Sequence, residues 1–132
     1  MTIFEEVRKL DLPIGQYAVV GSGVMSAYGI RQHKDVDLII TISLFEKLKD
    51  CGWELSKDKK NVIKHGNYEA DINYKYGEYQ PDSSKLIETA QIINGIPFIN
   101  LDEVVKFKKA LDRDKDRDDI ELISNYLMSK PF

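Results

Sequence analysis

Along this chain the apolar residues fall into runs of two kinds. Ile3, Val7 and Leu10 recur at helical spacing behind Thr2 and Glu5, a capping-box pair, until Pro13 stops the repeat. A short N-terminal helix is predicted. Residues 17–20 instead form a continuous β-favouring run closed by Gly21, and residues 37–42 form a second, rich in Ile and Leu and too continuous for the surface. Both are predicted as central strands. Ser43 with Glu46 repeats the capping pattern, with Leu44, Phe45 and Leu48 as the buried stripe and Gly52 as C-cap. Residues 53–56, 62–65 and 68–74 read as short strands separated by the polar stretch 57–61 and by Gly66-Asn67, so the sheet is expected to grow by hairpins. After a loop with Gly77 and Pro81 come a helix over 83–90 and a strand pair or bent strand over 91–99, turning at Asn94-Gly95. Asn100 with Glu103 caps a helix reaching about Leu111, and Asp114 caps a last helix that buries Ile120, Ile123 and Leu127. The expectation is an α+β fold: a mixed β-sheet with flanking helices, sheet first and C-terminal helices last.

Composition narrows this pattern. With 132 residues, 42% of them hydrophobic, and a formal charge of −3, the chain suits one domain over 1–132 with a modest core. No internal repeat or composition shift marks a linker. No apolar run approaches the roughly 20 residues that span a bilayer, and the start MTIFEEVRKL carries charges where a signal peptide has its apolar core. The expected setting is the cytoplasm, away from membranes. Cys51 is the only cysteine, which rules out an internal disulfide and a Cys-based zinc site and reads as a packing residue. His33 and His65 have no second His or Cys at metal-binding spacing and read as surface residues. The mild acidity argues against indiscriminate nucleic-acid binding.

Candidate chemistry begins where two acids open a strand. In a strand, residues i and i+2 share a face about 6 to 7 Å apart, so Asp35 and Asp37 project together. Ionised carboxylates so placed repel, an arrangement that becomes favourable with a divalent cation between them. Hard oxygen ligands suit Mg²⁺ or Mn²⁺, whose remaining ligands are commonly water and substrate phosphates. A nucleoside triphosphate is the natural third party. Gly21-Ser22-Gly23, ending the preceding strand, lets backbone approach a phosphate, with N–H groups of the next short helix to hold its charge. Gly21-x-Gly23-x-x-Ser26 also nearly satisfies a dinucleotide fingerprint. Geometry opposes that reading, because about ten residues between Gly23 and Asp35 leave no room for a crossover helix. No Gly-Lys-Ser/Thr follows, so a P-loop fails.

In this order, Val20-Gly21-Ser22, Asp35-Val36-Asp37 and Glu69-Ala70-Asp71-Ile72 resemble the nucleotidyltransferase superfamily, which includes DNA polymerase β, the antibiotic nucleotidyltransferases and the minimal nucleotidyltransferases of toxin and antitoxin pairs. Tyr28-Gly29-Ile30-Arg31, Lys108, Arg113-Asp114-Lys115-Asp116 and Asp119-Ile120 are similar to further motifs of the antibiotic-modifying branches. The resemblance implies a nucleotidyltransferase fold and metal-dependent transfer of a nucleotidyl group from a nucleoside triphosphate to an acceptor hydroxyl, with release of pyrophosphate. It implies Asp35, Asp37 and Asp71 as metal ligands and catalytic residues, with Glu69 the alternative third carboxylate. It further implies Gly21 and Ser22 as the seat of the phosphates, and Lys108 or Arg113 as neutralisers of pyrophosphate. Arg31 has the same role or braces Asp35 and Asp37, the second being favoured. Tyr74, Tyr76 and Tyr79 are candidates for stacking on the base. The acceptor, whether small molecule, RNA end or protein, is not legible, and nothing after the last helix builds an acceptor lobe, so a homodimer or partner protein is expected to supply it. The alternative function is a catalytically silent module of this fold that binds a partner, as in a toxin and antitoxin pair.

Overall fold

A computed structural model describes residues 1–130. In chain order the elements are α1 (Ile3–Arg8), β1 (Tyr17–Val20), α2 (Ser22–Ala27), β2 (Val36–Ile40), α3 (Ile42–Asp50), β3 (Glu54–Leu55), β4 (Val62–His65) and β5 (Tyr68–Asp71). They continue with α4 (Ser83–Glu88), β6 (Gln91–Ile93), β7 (Ile96–Phe98), α5 (Leu101–Leu111) and α6 (Asp114–Ser129). Among the described residues the fold is therefore α+β, with six helices around one open, mixed seven-stranded sheet in the order β3-β4-β5-β2-β1-β7-β6. The two runs read as central are central. β1 is buried along its whole length and pairs antiparallel with β2. β5 joins β2 in parallel, and β7 returns to pair in parallel with β1. The hairpins β3-β4-β5 and β6-β7 extend the two edges.

Side chains paired across neighbouring strands share a face. One face of the sheet carries Val19, Leu38, Ala70 and Phe98 in register and receives α1 and α2. Phe4 meets Phe98 edge-on at 5.7 Å. Gly23 is required here for room, because a Cβ on it would lie 2.8 Å from Val19 Cγ1 and 3.0 Å from Ile3 Cδ1. The opposite face carries Val20, Asp37, Glu69 and Asp71, so the acids stand on a different side from these two helices.

Several expectations need correction. The second strand stops at Ile40 because Thr41, not Ser43, caps α3, its hydroxyl accepting from the Leu44 N–H at 3.2 Å. Ile42 thus belongs to the helix. Gly52 follows the C-cap Cys51, which is exposed, not packed. β5 ends at Asp71, whose Oδ1 accepts from the Asn73 N–H at 2.8 Å and turns the chain. Arg113 rather than Asp114 precedes the first turn of α6, and Leu127 is 53% exposed although Ile123 is fully buried. The sheet is not completed before the helices begin: helices alternate with strands, and only α5 and α6 follow the last strand. No helix among the described residues is long and apolar enough to cross a membrane.

Candidate functional site

Four carboxylates are spread along β2 and its neighbour β5, from the loop before β2 to the register of Ile39. Asp35 is exposed in the loop one residue before the strand, and Asp37 lies within it, opposite Val20 of β1 and Glu69 of β5. Asp71 follows Glu69 by two residues, so Asp37, Glu69 and Asp71 share one face. Both third-carboxylate candidates are thus present together, Glu69 directly in register with Asp37 and Asp71 one step diagonal. Crowding shows in their acidity. Burial, then the charges of Glu69 and Asp35, pushes Asp37 up to about 6 against the opposing pull of Lys59 and Lys108. Burial also raises Asp71 to about 6, with Glu69 adding to the shift and the Asn73 N–H and Lys59 opposing it. Lys59 sits in the turn between β3 and β4, its ammonium 3.2 Å from Glu69 Oε1, while Lys64 lies 3.9 Å from Glu69 Oε2. Among the described residues, no three His, Cys, Asp or Glu side chains stand ready-converged to hold a metal ion.

Gly21 closes β1 with φ 66° and ψ −144°, a conformation open essentially to glycine, and the helix α2 starts at Ser22. A Cβ on Gly21 would lie 3.3 Å from Asp37 Oδ2. The glycine turn and the acidic strand, 16 residues apart in sequence, are therefore in contact through the space a side chain would fill. Tyr74 lies beneath this junction. Its ring stacks on Phe107 at 4.0 Å and meets Tyr79 edge-on at 6.0 Å. Its hydroxyl is buried beside the Gly21 backbone without a hydrogen-bond partner of normal geometry. Tyr74 is thus a wall residue rather than a free platform for a base. Tyr79 gives its hydroxyl to Glu103 at 2.9 Å, and Tyr76 remains exposed.

The expected phosphate-binding cations have internal partners. Arg31 reaches Asp119 through two bonds of 2.7 and 2.8 Å and the Gln32 carbonyl at 2.8 Å, so it braces α6 instead of Asp35 and Asp37. Lys108, 7% exposed, donates to Asp119 at 2.8 Å and lies 3.8 Å from Asp116, while its charge still acts on Asp37. Arg113 forks onto the fully buried Asp116 at 2.6 and 3.0 Å. Burial alone would raise Asp116 and Asp119. The bonds from Arg113 to Asp116, and from Arg31 and Lys108 to Asp119, outweigh it and hold both below the usual carboxylate range.

Three participants were not singled out from the sequence. Lys59 was hidden in the polar turn 57–61, where a basic run facing an acidic strand was the available signal. Asp116 and Asp119 stand out in the sequence only as motif neighbours of Lys108 and Arg113. His33, expected at the surface, is half-buried as a residue but keeps its side chain covered, 6% exposed, with Nδ1 3.0 Å from Ser26 Oγ and Nε2 2.9 Å from Glu6 Oε1. Asn67 donates to the other Glu6 oxygen at 3.1 Å, and Tyr68 donates to the Glu6 carbonyl at 2.8 Å. This cluster ties α1, α2 and the β4–β5 turn to the loop that delivers Asp35. No protein-family model and no curated protein matches the chain.

Proposed function

We propose that this chain is a metal-dependent nucleotidyltransferase of the DNA polymerase β-like superfamily, transferring a nucleotidyl group from a nucleoside triphosphate to an acceptor hydroxyl with release of pyrophosphate. The observation that carries this reading is the contact between Gly21 and Asp37 at the head of a face bearing Asp37, Glu69 and Asp71. The donor set suits Mg²⁺ or Mn²⁺: hard carboxylate oxygens, crowded enough that two of them hold protons more tightly than usual, with a tethered ammonium in place of a cation. Asp35, Asp37 and either Asp71 or Glu69 are the residues that would hold it. A bound cation would supply charge neutralisation for the triphosphate and lower the pKa of the acceptor hydroxyl.

The chain's own residues do the remaining work. Gly21 keeps the turn free of a side chain so that a phosphate can approach the backbone and the Ser22 hydroxyl. Asp71, or Glu69, accepts the acceptor's proton. Lys59, on an exposed turn, swings from Glu69 to neutralise the departing pyrophosphate, a role first expected of Lys108 and Arg113. Positioning and charge carry most of the rate. One observation favours the silent, partner-binding module as second reading: Arg31, Lys108 and Arg113 all have internal carboxylate partners.

Calorimetry with nonhydrolysable ATP and GTP analogues, with and without Mg²⁺, separates the two. Metal-dependent binding lost in Asp37→Asn supports the enzyme. Absence of heat with either nucleotide, for wild type and variant alike, sinks it in favour of the module.

A further inference from the structure

We propose that Glu6 of α1 is a positioning residue for Asp35: through His33 and Asn67 it holds the loop that presents this carboxylate to a divalent cation. The inference rests on the nucleotidyl-transfer reading. Asp35 is exposed, and its carboxylate takes no hydrogen bond from the described residues. Its backbone is nevertheless fixed on both sides. Two residues earlier, the His33 ring is held between Ser26 Oγ at 3.0 Å and Glu6 Oε1 at 2.9 Å. The Lys34 carbonyl accepts from Asn67 Nδ2 at 3.4 Å, and the Val36 N–H donates to the Asn67 carbonyl at 2.9 Å. Glu6 joins the two anchors, because its second oxygen accepts from Asn67 Nδ2 at 3.1 Å.

An ionised carboxylate only accepts, so His33 Nε2 and Asn67 Nδ2 both donate to Glu6 in charge-assisted bonds. The Glu6 side chain is 14% exposed, which limits competition from water. Its own helix is anchored in turn. Val7 is buried, and the Tyr68 hydroxyl donates to the Glu6 carbonyl at 2.8 Å. Only Lys34 and Asp35 stand between His33 and the first residue of β2, so fixing both ends sets the Asp35 backbone and leaves its carboxylate two side-chain torsions. Without Glu6, His33 loses a partner, Asn67 loses one of two acceptors, and the loop gains freedom that a cation must remove on binding. Partners of this outer kind commonly set metal affinity, and their loss weakens it about 10- to 100-fold.

The test measures Mn²⁺ affinity by calorimetry on the whole chain, with thermal melting to show that each variant is folded, for wild type, Glu6→Ala, Asn67→Ala, Tyr68→Phe and Asp35→Asn. Glu6→Ala is expected to bind Mn²⁺ about tenfold more weakly than wild type. Asn67→Ala, an exposed change that keeps the backbone bond to Val36, should fall in the same direction. Tyr68→Phe loosens α1 but leaves both loop anchors, so it should keep wild-type affinity even where it melts lower. Wild-type affinity in folded Glu6→Ala overturns the inference, as does a loss in Tyr68→Phe equal to that in Glu6→Ala, which would mean that α1 docking alone matters. Should Glu6→Ala fail to fold, Asn67→Ala decides, and wild-type affinity there overturns the inference. These failures leave the nucleotidyl-transfer reading standing. A wild-type chain that takes no Mn²⁺, or an Asp35→Asn chain that binds it equally well, removes both.

Discussion

Asp37 is a carboxylate whose surroundings work against its charge. Its acidity moves from 3.8 to about 6, with burial the largest cause and Glu69 and Asp35 next. Between those values the folded chain keeps a proton that the unfolded chain has released, so stability falls as pH rises through this window and the loss is complete above about pH 6. At ~1.4 kcal/mol per pH unit, and allowing for partial exposure, the loss is about 2 kcal/mol. Asp37→Asn should therefore be the more stable chain by about this amount at pH 8 and equal to wild type at pH 4, as denaturant titrations at the two pH values would report. A stability gap of the same size at both would refute the argument. Lys59 invites a second measurement. It presses a positive charge on Glu69, and its field also reaches Asp37 and Asp71. Lys59→Met is predicted to bind Mn²⁺ about threefold more tightly and the Mn²⁺–triphosphate analogue about threefold more weakly, both changes shrinking as salt is added. Two shifts of the same sign would remove Lys59 from the site.

At the scale of elements, the α5–α6 pair is held by charge as much as by apolar packing. Val104 and Ile123 are fully buried, and beside them Lys108 spans Asp116 and Asp119 while Arg31 reaches in from the loop after α2. Asp112, at φ 51°, ends α5 in a left-handed turn and sends the chain back so that α6 runs beside it. The arrangement docks the last helix against the strand-turn-helix unit that carries the acids. Asp119→Ala would leave the Lys108 ammonium buried with only the longer contact to Asp116, at a cost of about 3 kcal/mol. Urea denaturation should show that loss for Asp119→Ala and less than about 1 kcal/mol for Glu46→Ala, which breaks an exposed pair. Comparable effects from the two would mean that the buried cluster is no more than surface decoration.

The whole molecule combines two opposed pH responses. The lowered pKa values of Asp116 and Asp119 contribute stability above about pH 4 that is lost as pH falls through their folded-state values, whereas Asp37 and Asp71 withdraw stability as pH rises toward 6. Mg²⁺ with a nucleoside triphosphate analogue should offset the second response alone. At 100 times the dissociation constant it would add about 2.7 kcal/mol at pH 8. At pH 4.5, where the acids hold protons, it should add almost none. Melting curves at the two pH values, with and without the ligands, provide the check, and an equal rise at both would place the binding elsewhere.

Much of this molecule is determined locally, and so is legible from the order of its residues. Thr2 and Glu5 form their capping box, residues 17–20 are a strand throughout, and the hairpin turns at Asn94-Gly95, because caps, alternation and turns depend on residues a few positions apart. The same holds for Asp35 and Asp37, whose two-residue spacing already predicts mutual repulsion. Tertiary structure alone decided which of these pieces meet. It set β5 parallel to β2, bringing Glu69 level with Asp37 and Asp71 to the same face. It sent Arg31 to Asp119, 88 residues away, rather than to the nearer aspartates. His33 was drawn inside by Ser26 and Glu6, and Tyr74 was set under Gly21. The physical reason is common to all four: an ion pair, a buried imidazole or an unpartnered hydroxyl is selected by burial and by strand register, which join residues tens of positions apart and leave no periodic trace in the sequence.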